Sequence, residues 1–208
     1  HWHELHEERD EAIARAIRAD GIDVLIDLGG YLAGGRPGVL ARRAAPVQMH
    51  WIMHLAGMPA PFVDWSIVDE VMVPSDDGDA LHGPLIRLAN SFQPGYRQPV
   101  AEDPGSRERW GLPPEGPVFC AFNNPLKIDG EVFGAWMEIL RRVPEGTLWL
   151  SGRQRLKGFD RAADAHGIRP ERIAYAPFVP DRATHLARQR LATLYLDSFT
   201  FGGATSSM

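Results

Sequence analysis

Four short apolar runs separated by helix-length segments constrain this chain more than any other feature: VFCAF at 118–122, TLWLS at 147–151, IAYA at 173–176 and LATLYLD at 191–197. Between the first two, Phe133, Trp136, Ile139 and Leu140 recur at helical spacing, which predicts a helix over 131–142. Further helices are expected near 161–165 and over 182–190. Strand, helix and strand in repeated alternation predict a parallel sheet with right-handed crossovers.

The first half alternates less regularly. Ala12, Ile13, Ala16 and Ile17 form one stripe of a helix over 9–19, and DVLIDL at 23–28 reads as a strand closed by Gly29 and Gly30. A short helix is expected over 38–43, then strands in PVQMHWI, in SIVDEVMV at 66–73 and in LIRL at 85–88. The polar, Pro-rich stretch QPVAEDP at 98–104 predicts a linker, and SRERWGL a short helix after it. The expected division is therefore 1–98, a linker at 99–106, and 107–208.

The 208 residues carry a formal charge of −5. That argues against nucleic acid as the main partner, since phosphate backbones need a basic face. Cys120 is the one cysteine, which suits a reducing compartment. No apolar run approaches the ~20 residues of a membrane helix, and the polar start HWHELHEERD is no signal peptide. A cytoplasmic address without a membrane partner is expected. The start without Met and the stop at GGATSSM read as a piece cut from a longer protein.

Ligands of open parallel sheets bind beyond the carboxyl ends of the strands. That rule selects Asn123 to Lys127, then Gly152 and Arg153, then Pro177 and Phe178 leading to His185 and Arg188, and finally SFTFGGATSS at 198–207. The content suits a diphosphate. Gly202 and Gly203 permit close backbone approach. Thr205 and Ser206 stand where a helix should start and favour an anion. Lys127 offers a point charge and Arg188 a fork to oxygen, and His185 a planar partner for a base. Each taken alone also has a bland reading: a loop with a helix cap, a solvated lysine, an exposed histidine. Convergence on one sheet edge favours the site.

Other candidates are weaker. His1, His3 and His6 form H-x-H-x-x-H, but closed zinc sites use four ligands. His50 and His54 lie on a strand-like run, where a spacing of four does not make helical neighbours, and read as structural or cleft residues. GGYLAGG fails the G-x-G-x-x-G spacing, and neither a G-x-S-x-G elbow nor a P-loop occurs. Trp51, Trp65 and Trp136 fit packing better than sugar stacking, with the lining of a cleft as the alternative for Trp51.

Three blocks are similar in sequence and order to the family 41 glycosyltransferases, the O-GlcNAc transferase and SPINDLY-like group: DGIDVLIDLGGYLAGGRPGVLARRAAPVQMHWI, FCAFNNPLKIDGEVFGAWMEILRRVPEGTLWL and HLARQRLATLYLDSFTFGGATSSM. The resemblance implies an α/β, GT-B-like fold of two Rossmann-like lobes, both incomplete here, with the donor in the cleft. It implies UDP-GlcNAc or a related nucleotide sugar as donor, transfer to Ser or Thr hydroxyls of a protein acceptor, inversion, no cofactor or metal, and upstream helical repeats in the full-length chain. It places Asn124 near the nucleotide, Lys127 on the diphosphate as the catalytic residue, His185 and Arg188 beside the uridine, and Gly203, Thr205 and Ser206 at the phosphate-binding turn.

The chain departs from the family in carrying Ala204 where some members have His and Asn90 where animal members have His. It also lacks a further active-site His and an acidic residue expected after Met208, so the piece is expected to be inactive alone. Two rival readings share the diphosphate cradle: a UDP-sugar epimerase-like enzyme, and a non-catalytic nucleotide-sugar-binding module.

Overall fold

Two parallel sheets organise the chain, one in each of two compact units, His1–Tyr96 and Arg97–Met208. The structure is a computed structural model and describes residues 2–52, 57–74, 83–95, 97–152 and 156–203.

In the first unit, strands β1 (Val24–Asp27), β2 (Val47–Trp51), β3 (Trp65–Asp69) and β4 (Leu85–Leu88) stand in sequential order, each parallel to the next. A sheet that steps one way by right-handed crossovers carries its connections on one face. Accordingly Leu25 packs with Ala14 and Ile17 of helix α1 (Asp10–Ala19) and with Val39 and Leu40 of the short helix α2 (Pro37–Leu40). The side chain of Gln48, fully buried on this face, is satisfied on all sides. It accepts from the Ala44 amide at 2.9 Å and donates to the Leu40 and Phe62 carbonyls at 2.8 and 2.7 Å. On the opposite face Val24, Ile26 and Trp65 are exposed.

The strand expected over 66–73 stops at Asp69. The Asp69 carboxylate accepts the backbone N–H groups of Val71 at 3.0 Å and Met72 at 2.7 Å, which curls the chain into a turn. It also accepts Phe92 N–H at 2.7 Å, and the Phe92 carbonyl accepts the Trp51 indole N–H at 2.7 Å.

In the second unit, β5 (Val118–Ala121), β6 (Thr147–Ser151), β7 (Ile173–Ala176) and β8 (Leu194–Tyr195) are parallel, in the order β7-β6-β5-β8. Helix α3 (Gly130–Arg142) starts where the Asp129 carboxylate accepts Val132 N–H at 2.9 Å, a side-chain cap. Its buried stripe of Val132, Phe133, Trp136, Met137 and Leu140 lies on Phe119, Ala121, Leu148 and Leu150, joined by helix α4 (Lys157–Ala165) through stacked Phe133 and Phe159. Each such buried side chain contributes roughly 1.5–3 kcal/mol. The other face, Val118, Cys120 and Trp149, is covered by Trp110, Leu112 and Leu191. Burial pushes the Cys120 thiol up to about 11, so it behaves as a packing group.

Both faces being covered explains why every residue of β5 is buried, whereas the first unit's β1 alternates exposed and half-buried residues. Helix α5 (Arg182–Arg188) gives way to a 3₁₀ turn at Gln189–Leu191, which shortens the expected strand over 191–197 to Leu194–Tyr195. Helix α4 begins at Lys157, before its expected start, and the helix expected in SRERWGL is a single 3₁₀ turn, Glu108–Trp110. In the stretch expected as a linker, Ala101 N–H donates to Ala183 O at 3.2 Å, and the Arg190 guanidinium holds the carbonyls of Ala101 and Glu102.

Asp27, Asp64 and Asp69 all titrate below the ordinary value of 3.8: desolvation raises each, and hydrogen bonds from His50 and Gly30, from Arg43 and Gln48, and from Met72, Phe92 and Val71 outweigh it. A depressed carboxylate gives stability that is complete above the unfolded value and lost as pH falls through the lower folded value. Acid unfolding of the first unit is therefore expected below 3.8. An Asp69→Ala substitution, which strands three N–H groups, should cost about 2–3 kcal/mol in a urea titration at neutral pH. An unchanged midpoint would show that these bonds contribute nothing net.

Candidate functional site

The strand order reverses between β5 and β8. The chain runs outward from β5 through β6 to β7, then returns through α5 to pair β8 on the far side of β5. β5 thus stands between β6, which follows it in the chain, and β8, which is last, and open parallel sheets form their ligand crevice at such a switch point. Asn123 lies just past β5 and Asp197 just past β8, and the two bind across the gap.

Asn123 is 1% exposed. Its amide nitrogen donates to Asp197 Oδ1 at 2.8 Å, its side-chain oxygen accepts from Tyr195 Oη at 2.8 Å, and its carbonyl accepts from Ser151 Oγ at 2.9 Å. Asp197 Oδ1 also accepts the backbone N–H groups of Ser198 at 2.8 Å and Gly203 at 2.7 Å, drawing residues 197–203 into a closed turn. Ser198 Oγ donates to the Phe201 carbonyl at 2.7 Å inside it. A side chain at Gly202 would press on the Asp197 carboxylate, its Cβ only 3.2 Å from Oδ2.

Lys127 reaches this turn from the β5 side. Asn124 caps the 3₁₀ turn Pro125–Lys127 by accepting Leu126 N–H at 3.0 Å, which orients the lysine. The ammonium donates to Gly202 O at 3.1 Å and lies 4.4 Å from the centre of the Phe201 ring. The structure thus brings Lys127 and Gly203 to one turn, with Asn124 at its approach. The Gly203 N–H is already engaged by Asp197, so this glycine contributes close approach rather than a free donor. Thr205 and Ser206, with Ala204, lie outside the described residues.

His185 and Arg188 face a neighbouring cavity of about 260 Å³, lined also by Ser151, Pro177, Phe178 and Val179. That is somewhat below the ~300–1,000 Å³ of drug-sized pockets, a size for a single ring system. Arg188 is 2% exposed, beneath the rings of Trp110, Phe122 and Trp149. It uses its fork on the protein itself, donating from Nη1 to Pro177 O at 2.6 Å and from Nη2 to His185 Nδ1 at 2.8 Å. Its Nε has no partner among the described residues. A guanidinium only donates, so His185 Nδ1 accepts and the ring proton sits on Nε2. The His185 ring lies 5.8 Å from Phe122, the residue before Asn123, and Ser151 lines the cavity while bonding Asn123. Cavity and crevice therefore adjoin.

The sequence pattern selects the loop that begins at Asn123 but gives that residue no role, and it leaves out Asp197 and Ser151. A signal existed: each is a polar residue closing an apolar strand run. Of the weaker candidates, His50 is 3% exposed and meets Asp27 Oδ2 at 3.3 Å, while His1 and His54 lie outside the described residues. His3 pairs with Asp20, and His6 lies near Glu4 and Glu7. Among the described residues no three His, Cys, Asp or Glu side chains are placed to hold a metal ion. Asn90 is an exposed residue just after β4.

Burial, with the positive charge of Arg188 beside it, holds the His185 imidazole below its ordinary 6.5. The unfolded chain takes up the proton first, so the stability from this neutral ring is complete above 6.5 and declines as pH falls below it. Nitrogen-detected NMR is expected to show the Nε2–H tautomer and a midpoint below 6.5; an Nδ1–H ring would contradict the Arg188 bond. Asn123→Ala removes the bridge between the two strand ends and should lower stability by about 1–3 kcal/mol, read as the urea midpoint.

Comparison with known proteins agrees with this architecture. The profile of glycosyl transferase family 41 matches residues 4–103 and 95–208. The chain is 30% identical, over 99% of its length and 22% of the relative's, to the probable UDP-N-acetylglucosamine–peptide N-acetylglucosaminyltransferase SEC of Arabidopsis thaliana. It is 28% identical, with the same coverage, to the probable enzyme of that description, SPINDLY, of Solanum lycopersicum. It thus spans about a fifth of the length of these relatives. The structure of a Thermobaculum terrenum O-GlcNAc transferase mutant superposes with a TM-score of 0.84 at 29% identity, covering 99% of this chain and 39% of that one, which makes the fold α/β of GT-B type. A sucrose-phosphate synthase from Thermosynechococcus elongatus, 14% identical with a TM-score of 0.59, shares the fold alone. The match along nearly all of the sequence, on two parallel sheets with a switch-point crevice, means that the chain belongs to glycosyl transferase family 41.

Proposed function

We propose that this chain supplies the nucleotide-sugar cradle of a glycosyltransferase that moves N-acetylglucosamine from UDP-GlcNAc to Ser or Thr hydroxyls of proteins. The observation that carries the reading is the Lys127 ammonium set against the 197–203 turn at the switch point of a parallel sheet. In support, the adjoining cavity offers a ring-sized space beside His185, which suits the base of the same nucleotide.

The reaction is a direct displacement. The acceptor oxygen forms a bond to the anomeric carbon as the bond from that carbon to the diphosphate oxygen breaks. The electron pair leaves with the diphosphate, the anomeric centre inverts, and the hydroxyl proton passes to a base or to water. Negative charge grows on the diphosphate, and Lys127 opposes it by electrostatic stabilisation without need of a metal. Asn124 orients Lys127 through its cap, and Arg188 holds His185 beside the base as a neutral ring. Gly203, Thr205 and Ser206 complete the phosphate turn in this reading. Upstream helical repeats presenting the protein acceptor, and a cytoplasmic address consistent with a single buried cysteine, belong to the same proposal.

Loss of one such charge-stabilising donor costs about 10²–10³ in turnover. Lys127→Ala in the intact protein is expected to reduce transfer from UDP-GlcNAc to a Ser-containing peptide by that factor while the thermal midpoint stays put. Unchanged turnover would remove Lys127 from the mechanism.

A further inference from the structure

We propose that Phe201 is the positioning residue for Lys127: its ring face holds the ammonium over the crevice with the charge left available for a diphosphate. The inference rests on the function proposed above and adds a residue that neither the motif nor the net charge points to.

Phe201 is 54% exposed, so core packing does not account for it. Its backbone is pinned: Ser198 Oγ donates to its carbonyl, and the turn around it closes through Gly203 N–H on Asp197. Thr200 Oγ1 lies 3.5 Å from Asp129 Oδ2, which ties the turn to the start of α3. A ring on a pinned backbone is a fixed surface. Lys127, by contrast, ends a flexible four-carbon stem that needs outside contacts to hold one position. Among the described residues it has two, the Gly202 carbonyl and the Phe201 face.

The kind of contact matters. A carboxylate partner would hold the ammonium but cancel its charge toward an incoming anion. Among the described residues no carboxylate forms an ion pair with Lys127. A ring attracts the cation through its quadrupole and carries no net charge. One donor goes to Gly202 O, and among the described residues no other oxygen takes a hydrogen bond from the ammonium, which can thus still donate to a phosphate.

The test measures UDP and uridine affinities by calorimetry on the intact protein, comparing wild type with Phe201→Leu and Phe201→Tyr, and repeating Phe201→Leu in a Lys127→Met background. Phe201→Leu should weaken UDP about fivefold, about 1 kcal/mol, and leave uridine unchanged. Phe201→Tyr, which keeps the ring, should bind UDP like wild type, and in the Lys127→Met background Phe201→Leu should have no effect. Equal weakening of UDP and uridine, an unchanged UDP affinity in Phe201→Leu, or the same loss without Lys127 would each overturn the proposal. Wild type that binds UDP no better than uridine would instead sink the diphosphate cradle itself, and this inference with it.

Discussion

The hydrogen bond between Asn123 and Asp197 joins the ends of β5 and β8, the two neighbouring strands at which the strand order reverses. A switch point opens a crevice, but an open crevice is useful only if its walls are held at a fixed separation. Asn123 does this from a buried position, bonded by Ser151 of β6 on one side and, on the other, accepting from Tyr195 of β8 and donating to Asp197 just past it. Asp197 transmits the constraint forward by collecting the N–H groups of Ser198 and Gly203. Lys127 then closes on a turn whose shape is already decided.

The two sheets obey one rule with different results. In the first, the strands step in order, so the crossovers fall on one face and the side chains alternate between cover and exposure. In the second, Leu191 on the return to β8 joins Trp110 and Leu112 from the segment before β5 on the opposite face, and β5 is buried along its whole length. The continuous run VFCAF was therefore a sign of two-sided burial, and hence of the reversal in strand order that creates the site.

Much of this was legible in the residues. The alternation of apolar runs and helical stripes carried the parallel sheet, and the carboxyl-end rule selected loops that the structure brings to one edge. What the residues left ambiguous turned on direction. Asn123 and Asn124 are adjacent, yet one is buried and bonded to Asp197 and Tyr195, and the other is exposed and caps the 3₁₀ turn that the chain enters there. Arg188 looked like a fork for an external oxygen, but its helix lies against the aromatic face of the sheet, so the fork closes on Pro177 and His185. The strand at 66–73 failed for a different reason: Asp69 competes for the backbone N–H groups that would have continued it.

A chain with a net charge of −5 that places a carboxylate within the turn proposed to meet a diphosphate poses an electrostatic question. The answer lies in what Asp197 Oδ1 accepts. Three donors converge on that oxygen, from Asn123, Ser198 and Gly203, and they disperse its charge over amide groups fixed in place. In the proposed function an incoming diphosphate would meet the ammonium of Lys127 and a turn shaped by the carboxylate. The repulsion of one partly neutralised carboxylate is traded for order in the loop, since the electrostatic value of a site depends on dipoles and charges already aimed before the ligand arrives. The overall charge of the molecule is distributed over its surface and screened within about 10 Å, so it has little bearing on a crevice where the Lys127 ammonium stands directly against the turn.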